Sequence, residues 1–155
     1  MKVNTVKKIG LLIMVLVLAV TVQGGDEMAP GFTFNHVALS VKDVNISAGF
    51  YESVFDLQEI TNRTEVDGIR WFSLGEGKEL HLISTLKEDV KTNRAVHFAL
   101  TTADFDSFIT RLDGMNIKYS DFSGTPGKIN IRADGIRQIF LQDPDGYWIE
   151  INQAE

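Results

Sequence analysis

The chain has 155 residues and a mass of 17.3 kDa, enough for one domain with its own core and too little for several. Hydrophobic residues make up 44% and charged residues 23% of the sequence, a balance typical of a folded globular protein. The formal net charge of -6 argues against nucleic-acid binding, and the absence of cysteine excludes disulfides, thiolate metal sites and a cysteine nucleophile. Any metal would therefore need His, Asp or Glu ligands.

The first 25 residues differ in character from the rest. Three lysines within the first eight residues precede a 14-residue apolar run over 9–22, which ends at Gln23-Gly24-Gly25. The run is shorter than the roughly 20 residues of a membrane-spanning helix, and this order of basic, apolar and small residues is typical of a secretory signal peptide. We expect residues 1–25 to be a signal peptide and the protein to be exported, periplasmic or secreted. A retained N-terminal anchor is the alternative.

Beyond this segment the chain repeats itself. Residues 34–41 read Phe-Asn-His-Val-Ala-Leu-Ser-Val and residues 95–102 read Ala-Val-His-Phe-Ala-Leu-Thr-Thr, so that His97 follows His36 by 61 residues. Both segments alternate in the way that strands do, and a repeat of this length is typical of a duplicated supersecondary unit. We predict two copies of one module, about 32–84 and 95–152, joined by a charged linker over 85–93.

Each copy continues with a helix and three more strands. Helices are predicted over 44–55 and 105–112, each preceded by an aspartate, with Gly114 as the C-cap of the second helix. The further strands are predicted near 57–66, 69–74 and 79–84, and near 117–122, 136–142 and 147–152. Asp143 and Asp145, in Asp-Pro-Asp-Gly, are assigned to the turn between the last two strands. The sequence thus predicts the order βαβββ twice.

The alternation of side chains along the strands separates the histidines from the core. On the first strand of each module a histidine, His36 or His97, shares its face with small residues, and the large apolar residues lie on the other face. On the last strands His81 and Glu150 face away from their apolar neighbours, and an eight-residue insertion around 123–130 makes them correspond at an offset of 69. The four side chains form a pseudo-twofold set that uses every histidine of the chain.

Three imidazoles and a carboxylate on one concave surface are the donors of a divalent transition-metal site, with Zn, Ni, Co, Mn or Fe as the ion. We therefore predict four metal ligands: His36, His81, His97 and Glu150. Glu79, two residues before His81 on the same face, is an alternative to it, and Trp148 either lines the pocket or packs in the core. Four arginines are candidates for an anionic substrate, and the sequence selects none of them over a surface role: Arg63, Arg70, Arg132 and Arg137.

At these residues the sequence resembles the vicinal oxygen chelate superfamily, which includes glyoxalase I, methylmalonyl-CoA epimerase, fosfomycin-modifying thiol transferases, extradiol dioxygenases and bleomycin-resistance proteins. The resemblance covers about 32–152 and rests on segments 35–41, 79–83, 96–100 and above all 139–151, which reads Ile-Phe-Leu-Gln-Asp-Pro-Asp-Gly-Tyr-Trp-Ile-Glu-Ile. It implies an α+β fold in which paired βαβββ modules form a curved mixed sheet around a metal-binding cup.

The resemblance also implies a function. It points to a metal-dependent, glyoxalase-like lyase or isomerase acting on a small metabolite that chelates the ion through neighbouring oxygens, with Glu150 as ligand and candidate base. Glyoxalase I usually has glutamate where this chain has His81, which argues against a true glyoxalase I. The alternatives are a bleomycin-resistance-type protein that sequesters a ligand without catalysis and an iron-dependent dioxygenase. Family members commonly form homodimers, and we expect one here.

Overall fold

The computed structural model describes residues 31–86 and 89–155, so the predicted signal peptide at 1–25 lies outside the described residues. Within those two ranges no helix is both long enough and apolar enough to cross a membrane.

The described chain follows the predicted βαβββ order in both modules, except that the second module adds a short strand, β7, that was not predicted. The first module contains β1 (His36–Ser40), α1 (Val44–Phe55), β2 (Glu59–Ile60), β3 (Ile69–Gly75) and β4 (Lys78–Ile83). The second contains β5 (His97–Thr102), α2 (Phe105–Gly114), β6 (Tyr119–Ser120), β7 (Asn130–Ile131), β8 (Arg137–Gln142) and β9 (Trp148–Gln153). Each module builds its own mixed sheet, with strand orders β1-β4-β3-β2 and β5-β9-β8-β6, and β7 pairs with β8. The α+β class and the paired modules are confirmed.

Strand register confirms the internal repeat at the level of single residues. In the first module β1 runs parallel to β4 and Ala38 lies opposite His81; in the second, β5 runs parallel to β9 and Ala99 lies opposite Glu150. The offsets of 61 and 69 residues predicted from the sequence therefore place His81 and Glu150 at equivalent positions. Because first and last strands are neighbours in each sheet, the candidate ligands of one module lie side by side.

Local side-chain hydrogen bonds explain where two predicted strands end early. The strand predicted over 57–66 is reduced to β2, because Asn62 accepts hydrogen bonds from the amide and hydroxyl of Thr64 and donates to the carbonyl of Val66. Such an Asx turn competes with strand pairing. The strand predicted over 117–122 is reduced to β6, because the chain turns at Asp121.

The prediction for the end of α2 was wrong by one residue. Gly114 is the last helical residue, Met115 is the C-cap, and Asn116 takes the left-handed conformation at φ 55°. Asparagine tolerates that conformation better than most residues, so the glycine is not needed there. By contrast, α1 spans the predicted residues, and the Asp43 carboxylate caps it by accepting from the amides of Asn45 and Ile46.

The core lies between the helices and the inner faces of the two sheets. Its largest fully buried side chains come from α1, α2 and the central strands, among them Tyr51, Phe72, Leu80, Leu112 and Ile139. Each such side chain contributes about 1.5–3 kcal/mol through burial. Because these residues occupy one face of each strand, the histidines and Glu150 are left on the opposite face, as predicted.

The turn between β8 and β9 joins the second module to the first. Asp145 accepts from the Lys42 amide at 2.9 Å and from the Ser47 hydroxyl at 2.6 Å. The Tyr51 hydroxyl donates to Asp143 at 2.9 Å, and the Tyr147 hydroxyl donates to the Ser40 carbonyl at 2.9 Å. The two aspartates therefore do more than the turn chemistry that the sequence indicated, since they tie the modules together.

The corresponding turn of the first module, between β3 and β4, lies beside an open groove. The residues that correspond to Asp143, Asp145 and Tyr147 at the offset of 69 are Leu74, Glu76 and Lys78. These three side chains line a groove of about 980 Å³ together with residues of β5 and α2. The groove contains none of the four candidate metal ligands, so this groove and the candidate site are different places.

Candidate metal-binding site

The first module presents a column of stacked side chains that ends at His36. The His36 ring lies parallel to His81, with centroids 4.3 Å apart, and His81 lies parallel to Trp71 at 4.0 Å. The Arg63 guanidinium lies 5.0 Å from the Trp71 ring on which it stacks. Strand pairing contributes to the column, because Trp71 on β3 lies directly opposite His81 on β4. On the other side of His81 the paired residue of β1 is the small Ala38, and the ring of His36, on the same face of β1, stacks on His81. The column holds the imidazole planes of both histidines.

The binding nitrogen of His81 is already engaged. Its Nε2 lies 2.8 Å from Oε2 of Glu79, and the other oxygen of Glu79 accepts from Arg63 at 2.7 Å. The hydrogen bond to His81 and the Arg63 guanidinium lower the pKa of Glu79. Glu79, the predicted alternative to His81, is thus bound to its neighbours through both oxygens.

In the second module His97 and Glu150 form a pair. His97 Nε2 lies 3.1 Å from Oε2 of Glu150, and its Nδ1 donates to the Arg94 carbonyl at 2.8 Å. Glu150 is buried, and its Oε1 accepts from the Asn152 amide at 2.7 Å. Phe140 contacts the His97 ring edge-to-face at 5.5 Å. One oxygen of the carboxylate is therefore held by Asn152, and the other faces the imidazole.

The predicted ligands come together as two pairs. We call His36 and His81 the first half-site and His97 and Glu150 the second half-site. In the described parts of the chain no group of three or more His, Asp or Glu side chains is arranged to hold a metal ion. The donor types fit a divalent ion, two imidazoles and a carboxylate being standard ligands. One chain brings them together only within each module.

Arg94, which the sequence analysis did not single out, lies beside the second half-site. Its guanidinium stacks on Trp148 at 4.2 Å and donates to the Phe122 carbonyl at 2.6 Å. Glycine is needed at position 124 for two reasons: a Cβ atom there would lie 3.1 Å from the Arg94 guanidinium, and the backbone has φ +91°. Arg94 stands at the end of the linker, where no sequence pattern marks it as different from a surface residue.

The four arginines singled out from the sequence are all paired with acids. Arg63 binds Glu79 in the first half-site's column, and the other three form surface ion pairs: Arg70 with Glu52 and Glu59, Arg132 with Asp134, and Arg137 with Asp106. Such exposed pairs contribute little to stability. Trp148 is half-buried, lies opposite His97 in the pairing of β5 with β9 and packs under Arg94, so it is not the core residue that was the alternative for it.

Asp121 anchors the insertion loop that lies beside this half-site. The Thr125 amide donates to its buried carboxylate at 2.8 Å, and the Lys128 ammonium lies 3.0 Å away. These contacts lower the pKa of Asp121 to about 2. A carboxyl whose pKa is lower in the folded than in the unfolded protein stabilises the fold at any pH above its ordinary pKa. This contribution is lost as the pH falls through the lowered pKa.

We therefore expect the stability of the protein to fall between about pH 4 and pH 2, and to fall less steeply in Asp121→Asn. Urea unfolding followed by circular dichroism at a series of pH values measures this slope. Asp134→Asn, in an exposed pair with Arg132, is the matched control. Equal slopes for Asp121→Asn and the wild type would contradict the role assigned to Asp121.

The fold and the half-sites define a class of protein: two βαβββ modules whose first and last strands carry imidazole and carboxylate donors. A family model described as the Glyoxalase/Bleomycin resistance protein/Dioxygenase superfamily matches residues 33–151. The chain therefore belongs to this superfamily, and the family predicted from the sequence is confirmed.

Two relatives and one solved structure of the same fold illustrate the range of this similarity. The chain is 30% identical over 125 residues to the uncharacterized protein YwbC of Bacillus subtilis, covering 77% of this chain and 95% of that one. It is 30% identical over 124 residues to the metallothiol transferase FosB of Bacillus licheniformis, covering 76% and 73% of the two chains. The crystal structure of lactoylglutathione lyase from Agrobacterium tumefaciens aligns with a TM-score of 0.61 and 19% identity, over 81% of this chain and 96% of that one.

Proposed function

We propose that the protein is a divalent-metal-dependent lyase or isomerase of the glyoxalase type, acting on a small metabolite that carries neighbouring oxygen atoms. The observation that carries this proposal is the His97–Glu150 pair, in which an imidazole and a buried carboxylate lie 3.1 Å apart. This pair corresponds to His36 and His81 in the first module. When deprotonated, the His97 Nε2 and the Glu150 carboxylate are both donors to divalent ions, so this pair would be available to one metal ion.

His36, His97 and Glu150 are the proposed ligands. His81 completes the predicted set of four, but its Nε2 is held by Glu79. We therefore propose that His81 contributes less to metal affinity than the other three ligands. A bound divalent ion would supply Lewis-acid polarisation of the chelated substrate oxygens. Zn, Ni, Co, Mn and Fe all suit these donors.

Glu150 is the proposed base for moving a proton between adjacent carbons of the substrate. Its Oε1 is held by the Asn152 amide and its Oε2 faces His97, so the carboxylate has a defined orientation. Phe140 lies opposite Glu150 on β8, and Trp148 lies two residues before it on β9. A buried carboxylate so oriented is suited to accept a proton at one oxygen.

We further propose that the working site is assembled between two copies of the chain, in a homodimer. The half-sites belong to separate sheets, and β1 and β5, which carry His36 and His97, are both edge strands of those sheets. A symmetric dimer brings the first half-site of one copy to the second half-site of the other, and forms two such sites at once.

Ligand sequestration without catalysis is the second candidate function. It is favoured by the division of the donors into half-sites, since a protein that only binds a ligand needs no assembled metal site. The similarity to the fosfomycin resistance protein FosX of Listeria innocua, 24% identical over 132 residues, supports a resistance role, with or without catalysis.

Metal content decides between these candidates. Elemental mass spectrometry of the purified protein, residues 26–155, is expected to find about one divalent ion per chain, and far less in His97→Ala and Glu150→Ala, because each variant removes half of a donor pair. His81→Ala is expected to keep more metal than either. Glu76→Ala, in an exposed pair with Lys78, is the control. A folded protein that takes up no metal after reconstitution would leave sequestration as the function.

Export of the mature domain also remains a proposal, supported by the basic, apolar and small residues over 1–25.

A further inference from the structure

The Nδ1 atom of His36 has a side-chain partner, whereas the Nδ1 atom of His97, its counterpart in the second module, has a backbone partner. Its Nδ1 lies 2.7 Å from Oδ1 of Asn35, the residue before it. An amide oxygen only accepts hydrogen bonds, so the proton of this contact is carried by Nδ1. The neutral imidazole then has its lone pair on Nε2, on the far side of the ring.

His97 reaches the same state by a different route. Val96 stands where Asn35 stands in the first module, and the His97 Nδ1 donates instead to the backbone carbonyl of Arg94 at 2.8 Å. Both first-strand histidines thus have a carbonyl oxygen at Nδ1. His81 differs from both, because the nitrogen that faces an acceptor is its Nε2, which lies 2.8 Å from the Glu79 carboxylate.

A histidine that binds a metal through one nitrogen almost always donates its other N–H to an acceptor, which fixes the tautomer and the ring orientation. We infer that Asn35 is a positioning residue for the candidate metal site, fixing His36 in the tautomer whose Nε2 is free to bind the ion. This inference rests on the proposed function for its consequence, since the fixed tautomer matters to the reaction only if His36 is a ligand. The contact is made by a side chain, so substitution can remove it; the equivalent contact of His97 is made by the backbone and persists in every variant.

Three variants test the inference on the full mature chain. Asn35→Ala removes the acceptor, Asn35→Asp keeps an acceptor oxygen and removes the amide donor, and Asn45→Ala is the matched control at an exposed asparagine of α1. The first measurement is the long-range ¹H–¹⁵N spectrum of the metal-free protein, in which the three histidines report their tautomers separately. The second is the affinity for Zn²⁺, measured by competition with a chromophoric chelator.

We expect His36 to show the Nδ1–H tautomer in the wild type, in Asn35→Asp and in Asn45→Ala, and to lose it in Asn35→Ala while His97 keeps it. Zinc affinity is expected to fall about 10- to 100-fold in Asn35→Ala, the usual cost of removing such a partner, and to be largely retained in Asn35→Asp. An unchanged His36 tautomer in Asn35→Ala overturns the inference, as does an unchanged zinc affinity or an Asn35→Asp protein that behaves like Asn35→Ala. If the wild type binds no zinc, the proposed function fails, and the tautomer spectrum still decides whether Asn35 fixes the ring.

Discussion

Mixing a His36→Ala chain with a Glu150→Ala chain is expected to restore metal binding that neither variant shows alone. In a homodimer whose sites are shared, the Glu150→Ala chain supplies an intact His36 and the His36→Ala chain supplies the intact pair of His97 and Glu150. Each mixed dimer then has one complete site. Random exchange of subunits makes about half of the dimers mixed, which corresponds to about a quarter of an ion per chain.

The matched control is a mixture of His97→Ala with Glu150→Ala. Both changes affect the second half-site, so no combination of these chains contains an intact pair, and no metal is expected. Differently tagged chains, purified over both tags, prove that exchange has taken place, and elemental mass spectrometry of these purified mixed dimers is expected to count about half an ion per chain. If verified mixed dimers of His36→Ala with Glu150→Ala remain without metal, the shared site is wrong, and the two half-sites would have to meet within one chain.

The second large effect is expected at the turn that joins the modules. Asp143 is buried and accepts from the Tyr51 hydroxyl at 2.9 Å, from the Asp145 amide at 3.0 Å and from the Tyr147 amide at 2.8 Å. Asp143→Ala leaves these donors without a partner, and a single buried donor left unpaired costs about 1–3 kcal/mol. We expect a loss of about 3 kcal/mol in the free energy of unfolding, a large part of the 5–15 kcal/mol typical of such domains. Urea unfolding measures it.

Asp134→Ala, at an exposed turn, is the control for this substitution, and a comparably small effect of Asp143→Ala would contradict the role of the turn. Asp143→Asn adds a pH test with a defined sign. Burial raises the pKa of Asp143, so its contribution to stability is greatest at low pH and declines as the pH rises through the raised value. That decline is expected in the wild type and absent in Asp143→Asn.

Much of this fold follows from local sequence. The helix α1 occupies the residues predicted for it, because apolar spacing and the Asp43 cap both act within a few residues. The offsets of 61 and 69 were read from the repeat and reappear as strand register at Ala38–His81 and Ala99–Glu150. The errors arose where a single side chain redirects the backbone, as Asn62 does to the strand predicted over 57–66.

The candidate site, like the fold, follows in part from local sequence and in part from tertiary contacts. The sequence alone determined the family, the duplicated module and the strand face on which His36, His81, His97 and Glu150 lie, because strand alternation is a property of neighbouring residues. Only the tertiary structure decided which of these side chains meet, since pairing of β1 with β4 and of β5 with β9 joins residues that are far apart in the chain. It also decided that Glu79 binds His81, and that Arg94 stacks on Trp148. Contacts of this kind depend on where separate strands and loops meet in space, which the order of residues along one strand does not specify.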